Sequence, residues 1–146
     1  MDYGKADDDI NEIISDSSNI LDKVVDYLYT TFNHYNWVGF YLVEGNDLIL
    51  GPWRGEQATE HVKIPIGTGV CGSVAQSGKT EIVPDVSKDE RYLACFASTR
   101  SEIVVPIKKN ERIIGEIDID SDEPNAFDKN DKIFLEKIAN KISIHI

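Results

Sequence analysis

The chain is poor in thiols. Cys71 and Cys95 are the only two cysteines in 146 residues. In a reducing compartment such a pair reads as a transient, catalytic or sensing disulfide rather than a permanent bridge. Basic side chains are also scarce: 15 lysines and arginines face 26 aspartates and glutamates, a net charge of -11. That surface repels phosphate backbones and anionic lipid, and no basic stripe reverses it locally, which argues against nucleic-acid and membrane partners. No apolar run approaches the roughly 20 residues needed to span a bilayer. The acidic start, Met1-Asp2-Tyr3-Gly4-Lys5-Ala6-Asp7-Asp8-Asp9, does not resemble a secretory signal or transit peptide, so the expected location is the cytoplasm. Internal repeats, low-complexity segments and linkers are absent, and the length suits a single domain over residues 1–146.

Hydrophobic periodicity organises what is there. Ile10, Ile13, Ile14, Ile20, Leu21, Val24, Val25 and Leu28 recur at three- and four-residue steps and predict one long amphipathic helix over residues 7–32, within an N-terminal helical region 1–35. Residues 37–43 read as a strand and 47–50 as its hairpin partner, broken by Gly51-Pro52-Trp53-Arg54-Gly55. A short strand is expected at 61–66, a short helix at 70–76 after Gly67-Thr68-Gly69, and a strand at 80–83. A loop or irregular helix over 84–98 precedes a hairpin of strands 103–107 and 112–119. Asp128 is the candidate N-cap of a closing helix whose inner face is Phe134, Leu135, Ile138, Ala139 and Ile142. The order predicts an α+β domain with a mainly antiparallel sheet, terminal helices on one face and loops over a pocket on the other.

The chemistry-bearing residues fall in the pocket-forming segments. Cys71 lies in Gly69-Val70-Cys71-Gly72 and Cys95 in Tyr92-Leu93-Ala94-Cys95, with Glu102, Asp118 and Asp120 following. Two readings stand side by side: both thiols are small buried hydrophobes, or they are a nucleophile and its resolving partner served by nearby acids. In Glu116-Ile117-Asp118-Ile119-Asp120, strand alternation puts the isoleucines on one face and three carboxylates on the other. A solvated sheet face explains the bare pattern. If loops cover that face, the acids become proton donors or anchors for an ammonium group. The glycines of residues 67–72 lack the Lys-Ser/Thr of a phosphate-binding loop. They suit a sharp turn that sets Cys71 near a helix N-terminus, where the dipole favours a thiolate. His61, Cys71 and Cys95 lack the close spacing of known zinc sites, so no metal is expected, and His34 and His145 read as surface residues. Trp37, Gly39 and Tyr41 share one strand face and Val38, Phe40 and Leu42 the other; core packing or a small-ligand pocket explains the aromatic face.

Several segments together resemble the free methionine-(R)-sulfoxide reductases of the GAF domain family. They are Asn36-Trp37-Val38-Gly39-Phe40-Tyr41-Leu42, Leu50-Gly51-Pro52, Ile64-Pro65-Ile66-Gly67-Thr68-Gly69-Val70-Cys71-Gly72, Val83-Pro84-Asp85-Val86, Ala94-Cys95, Ser101-Glu102-Ile103-Val104-Val105-Pro106-Ile107, Ile114-Gly115 and Asp118-Ile119-Asp120-Ser121. The resemblance implies a six-stranded antiparallel sheet with terminal helices on one face and an enclosed pocket on the other. It implies reduction of free L-methionine (R)-sulfoxide with no bound cofactor and with thioredoxin or another dithiol as reductant. The nucleophile then falls on Cys95, the resolving thiol on Cys71, the pocket acids on Glu102, Asp118 and Asp120, and the pocket aromatics on Trp37 and Tyr41. Many members carry a third cysteine where this chain has His61, and Glu116 stands where an apolar residue is typical.

On this reading Cys95 attacks the sulfoxide sulfur while Glu102 or Asp120 protonates its oxygen, leaving a sulfenic acid that Cys71 converts to a disulfide. The other carboxylates hold the substrate's ammonium group. Carboxylates also raise the pKa of a neighbouring thiol, in opposition to a helix dipole. A GAF-type sensor that binds a small ligand without chemistry is one alternative, disfavoured by the expectation that the chain ends where the domain does, and a redox-sensing dithiol switch is the other. A homodimer is left open.

Overall fold

The computed structural model describes residues 2–16, 18–92 and 98–146. Its first departure from the hydrophobic pattern is at the N-terminus, where the expected single helix is two: α1 (Tyr3–Ser15) and α2 (Ile20–Thr31). Asp16, Ser18 and Asn19 lie between them, residue types that compete with the helical backbone for hydrogen bonds. Asn19 adopts a left-handed φ of 63°, which no continuing helix tolerates. The periodicity runs through the break because both helices pack on the same surface.

Six strands follow: β1 (Trp37–Glu44), β2 (Asp47–Gly55), β3 (Lys63–Pro65), β4 (Glu81–Val83), β5 (Ser101–Lys109) and β6 (Arg112–Ser121). They form one antiparallel sheet in the order β3-β2-β1-β6-β5-β4. The helix α3 (Gly69–Ser77) lies between β3 and β4 in the chain, and α4 (Lys129–Ile142) closes the fold. This is the architecture the resemblance implied.

β2 does not end at Leu50 as its glycines and proline suggested. Its register passes from Tyr41↔Leu50 to Gly39↔Trp53, so Gly51 and Pro52 both stand opposite Phe40. This is a β-bulge. It absorbs the proline, whose missing N–H would break a regular ladder, and pairing continues to Trp37↔Gly55.

The sheet divides two cores. On one face α1, α2 and α4 cover Val38, Phe40, Ile103, Val105, Ile107, Ile117 and Ile119. α4 contributes Phe134, Leu135, Ile138, Ala139 and Ile142, all buried, and each large side chain adds about 1.5–3 kcal/mol by burial. Its N-terminus carries a capping box in which Asp128 accepts from the Asp131 backbone and Asp131 accepts from that of Asp128. On the other face Trp37, Tyr41 and Val104 pack beneath Ile64, Val70, Cys71, Val74 and Val83. The two faces of β1 thus separate as the alternation requires.

Candidate active site

Strand register assembles the site. Along β6, Asp120, Asp118 and Glu116 point to the α3 side of the sheet, and their neighbours on both flanks point the same way. Asp120 lies between Trp37 of β1 and Glu102 of β5, Asp118 between Gly39 and Val104, and Glu116 between Tyr41 and Pro106. Directly opposed side chains in such pairs sit about 4.5–5.5 Å apart. Glu102, Glu116, Asp118 and Asp120 are at most 5% exposed, which overturns the solvated-face explanation of the alternating acids.

Burial sets the electrostatics. Desolvation pushes the pKa of each of the four carboxyls up. The charge on Asp118 raises the other three further. Asp118 rises less sharply because hydrogen bonding from Glu102 and Cys71 and the nearby His61 favour its ionised form. Burial and mutual repulsion therefore both favour the protonated forms, and the close carboxyls titrate as a coupled group. Both oxygens of Glu116, Oδ1 of Asp118 and Oδ1 of Asp120 are buried without a hydrogen-bond partner among the described residues.

Cys71 is placed over these acids by the glycine-rich turn. Gly67 and Gly69 adopt left-handed φ values of 96° and 69°. The N–H groups of Gly67, Thr68 and Gly72 are bonded within the turn, to Gly72 O, Pro65 O and Thr68 O. They are not free to cradle a phosphate. The expectation that the helix N-terminus would favour a Cys71 thiolate fails: burial, then Asp118, Glu116 and Glu102, push the thiol pKa well up. Desolvation and three carboxyls outweigh a dipole equivalent to about half a charge. Cys71 rests as a neutral thiol. Cys95 lies outside the described residues.

The aromatics form the wall at the Asp120 end. The Trp37 indole lies across Gly39 and Gly55, and a Cβ at either position would fall inside its ring. Trp53 stacks on it with centroids 6.1 Å apart and planes 15° from parallel. A partly open cleft of about 80 Å³ beside Trp37 and Asp120 is lined further by Tyr29, Asn36, Gln57 and Thr99. Tyr41 is buried on the same face, but its hydroxyl donates to His61 O at 2.7 Å, and Thr59 Oγ1 accepts from His61 N at 3.0 Å. Tyr41 thus ties down the loop that carries His61.

Two further expectations need correction. His34 is not a free surface residue: its Nε2 lies 3.2 Å from Asp131 Oδ1 and its side chain is 19% exposed. Glu116, which strand alternation places with Asp118 and Asp120 but the resemblance does not count among the pocket acids, belongs to the buried acid cluster. Its place in the alternation was the signal. The Gly55–Trp53 shelf had none, because it depends on β2 continuing past Pro52.

Residues 16–146 match the model of the GAF domain family. The free methionine-R-sulfoxide reductase of Saccharomyces cerevisiae is 47% identical over 112 residues, covering 74% of this chain and 61% of that protein. The fRMsr of Staphylococcus aureus in its reduced form superposes with a TM-score of 0.91 at 42% identity, covering 98% of this chain and 94% of that one. The chain belongs to the GAF domain family, among its free methionine-R-sulfoxide reductases. The free methionine-R-sulfoxide reductase of Neisseria meningitidis, solved in complex with its substrate, is also similar: TM-score 0.91, 34% identity, 97% of this chain and 86% of that one. In this chain His61 lies near Asp118, and Glu116 adds a fourth buried acid to the pocket.

Proposed function

We propose that the protein reduces free L-methionine (R)-sulfoxide to methionine in the cytoplasm, using Cys95 as nucleophile, Cys71 as resolving thiol and a thioredoxin-like dithiol as reductant. The observation that carries the reading is the row of buried, proton-holding carboxyls beside Cys71, several of whose oxygens lack a partner. A buried carboxyl oxygen left unpaired costs about 1–3 kcal/mol, a cost that binding sites accept when a ligand completes them.

Both polar ends of the substrate suit this row. The α-ammonium group supplies the cation that Asp118 and its neighbours lack, and a peptide bond would remove it, which explains a preference for the free amino acid. The sulfoxide oxygen accepts a proton from Glu102 or Asp120, whose burial beside Asp118 favours their protonated forms. Trp37 and its shelf bound the apolar part of the site.

The Cys95 thiolate attacks the protonated sulfoxide. In net terms the oxygen passes from the substrate sulfur to Cys95, giving the thioether and a sulfenic acid. The Cys71 thiol condenses with that sulfenic acid, losing water and forming a disulfide. An external dithiol exchanges with the disulfide, restores both thiols and leaves as its own disulfide.

A thioredoxin-coupled NADPH assay on separated epimers tests the proposal. Oxidation of NADPH is expected with the free R epimer and not with the S epimer or the N-acetylated R epimer. Cys95→Ser should fold and be inactive. Cys71→Ser should release one equivalent of methionine and then stall with thioredoxin. Binding of the R epimer without consumption would instead make the protein a sensor.

A further inference from the structure

Cys71 and its neighbours carry a capacity that sulfoxide reduction does not use. The Cys71 sulfur, one carboxylate oxygen of Glu102 and one of Asp118 lie within 4.8 Å of one another, and all three residues are buried. Tetrahedral zinc holds sulfur at about 2.3 Å and carboxylate oxygen at about 2.0–2.2 Å, so its ligands are roughly 3.5 Å apart. Small side-chain rotations would close this triad on an ion.

A second observation is independent of the triad. Glu116 is fully buried and its carboxyl faces the Cys71 thiol, with no other hydrogen-bond donor to either oxygen among the described residues. It stands as a ready fourth donor. A hard cation such as calcium or magnesium requires an all-oxygen shell of six or more ligands, whereas one soft sulfur with two or three oxygens matches zinc-class ions.

We propose that Cys71, Glu102, Asp118 and Glu116 form a site for a borderline divalent cation of the zinc class, which excludes the sulfoxide from the pocket. When the ion binds, the Cys71 thiol and any protonated carboxyls among its ligands release their protons to solvent, and no oxidation state changes. The Cys71–Cys95 disulfide has no thiolate to offer, so only the reduced protein takes the ion. The exclusion of substrate rests on the proposed reductase function; the binding itself does not.

Cobalt(II) is a direct probe, because a thiolate ligand gives a near-ultraviolet charge-transfer band and tetrahedral coordination gives visible bands. Reduced, chelator-stripped protein should show both bands, saturating at one equivalent and bleached by zinc. Cys95→Ser should retain them. Cys71→Ser should lose the charge-transfer band, and Glu102→Gln should weaken cobalt binding by at least about tenfold. Should Cys71→Ser lose its native circular dichroism, Glu102→Gln and Asp118→Asn carry the test, each expected to weaken binding. No charge-transfer band in Cys95→Ser, or a band that survives Cys71→Ser, overturns the site. Free methionine should compete with cobalt; binding that methionine leaves unchanged overturns the exclusion. These titrations need no turnover, so their failure is separable from failure of the reductase assay.

Discussion

Two sets of buried carboxylates lie on opposite sides of the sheet, and they behave in opposite ways. Asp131, on the helix side, is 2% exposed. It accepts hydrogen bonds from Tyr35 at 2.7 Å, Tyr3 at 3.0 Å and the Asp128 backbone at 3.0 Å, with His34 at 3.2 Å. Burial alone would raise its pKa, but these partners outweigh it and hold the group at about 2. On the pocket side Glu102, Glu116, Asp118 and Asp120 are as little exposed but lie deeper in the protein; several of their oxygens have no partner, and burial drives their pKa values up. Low exposure alone does not decide what a carboxylate does; depth and hydrogen-bond partners do. Asp131 is satisfied by its own chain and fastens α1, the start of β1 and α4 together. The pocket acids are left for something that enters.

The largest expected break in this comparison is functional. Asp120→Asn and Glu102→Gln should each lower kcat/KM by about 10²-fold or more, since an amide cannot deliver a proton. Their urea midpoints should be unchanged or higher, because a deeply buried ionisable group crowded by other acids has been replaced by a neutral amide. Steady-state kinetics beside urea unfolding checks both halves, and a large loss of stability with normal kinetics would reverse the roles of the two sides.

Asp131→Asn is the mirror experiment. It disrupts the capping box and weakens three side-chain bonds, so a loss of about 2–4 kcal/mol in unfolding free energy is expected, with kcat per folded molecule unchanged.

Gly39→Ala sharpens the comparison within the pocket side. The new methyl group displaces the Trp37 indole without touching an acid, so KM should rise by about tenfold while kcat moves little. An unchanged KM would detach Trp37 from substrate binding.

The smallest effect is the pH dependence of stability. Asp131 contributes stability that is present above the unfolded carboxylate value near 3.8 and is lost as pH falls toward about 2. The pocket acids have the opposite sign. As pH rises above the ordinary carboxylate range the unfolded chain releases their protons first, so the folded state binds more protons and its stability falls. Unfolding midpoints from pH 4.5 to 8 should slope downward for this group, and Glu116→Gln should flatten part of that slope.

Much of the fold was legible. α4, its Asp128 cap, the β5–β6 hairpin and the split of β1 into Val38/Phe40 and Trp37/Tyr41 faces all follow from local periodicity and capping chemistry, which operate within a few residues. The errors arose where distant partners intervene. The α1–α2 break was hidden because both helices present apolar residues to one surface. β2 was cut short because Pro52 is tolerated only through a bulge against Phe40, a cross-strand arrangement. Likewise Cys71 was read from its helix terminus alone, without the three acids that approach it from other strands.

By itself the sequence determined the elements, the pairing of hairpins and the alternation that sends Glu116, Asp118 and Asp120 to a common face, because side-chain direction in a strand is fixed by a period of two. Whether that face met water or protein was not a local property. Only the tertiary structure decided it, by laying α3 and the glycine-rich turn over β5 and β6, and with that covering came the desolvation that makes the acids hold protons, keeps Cys71 neutral and turns a charged strand into a site.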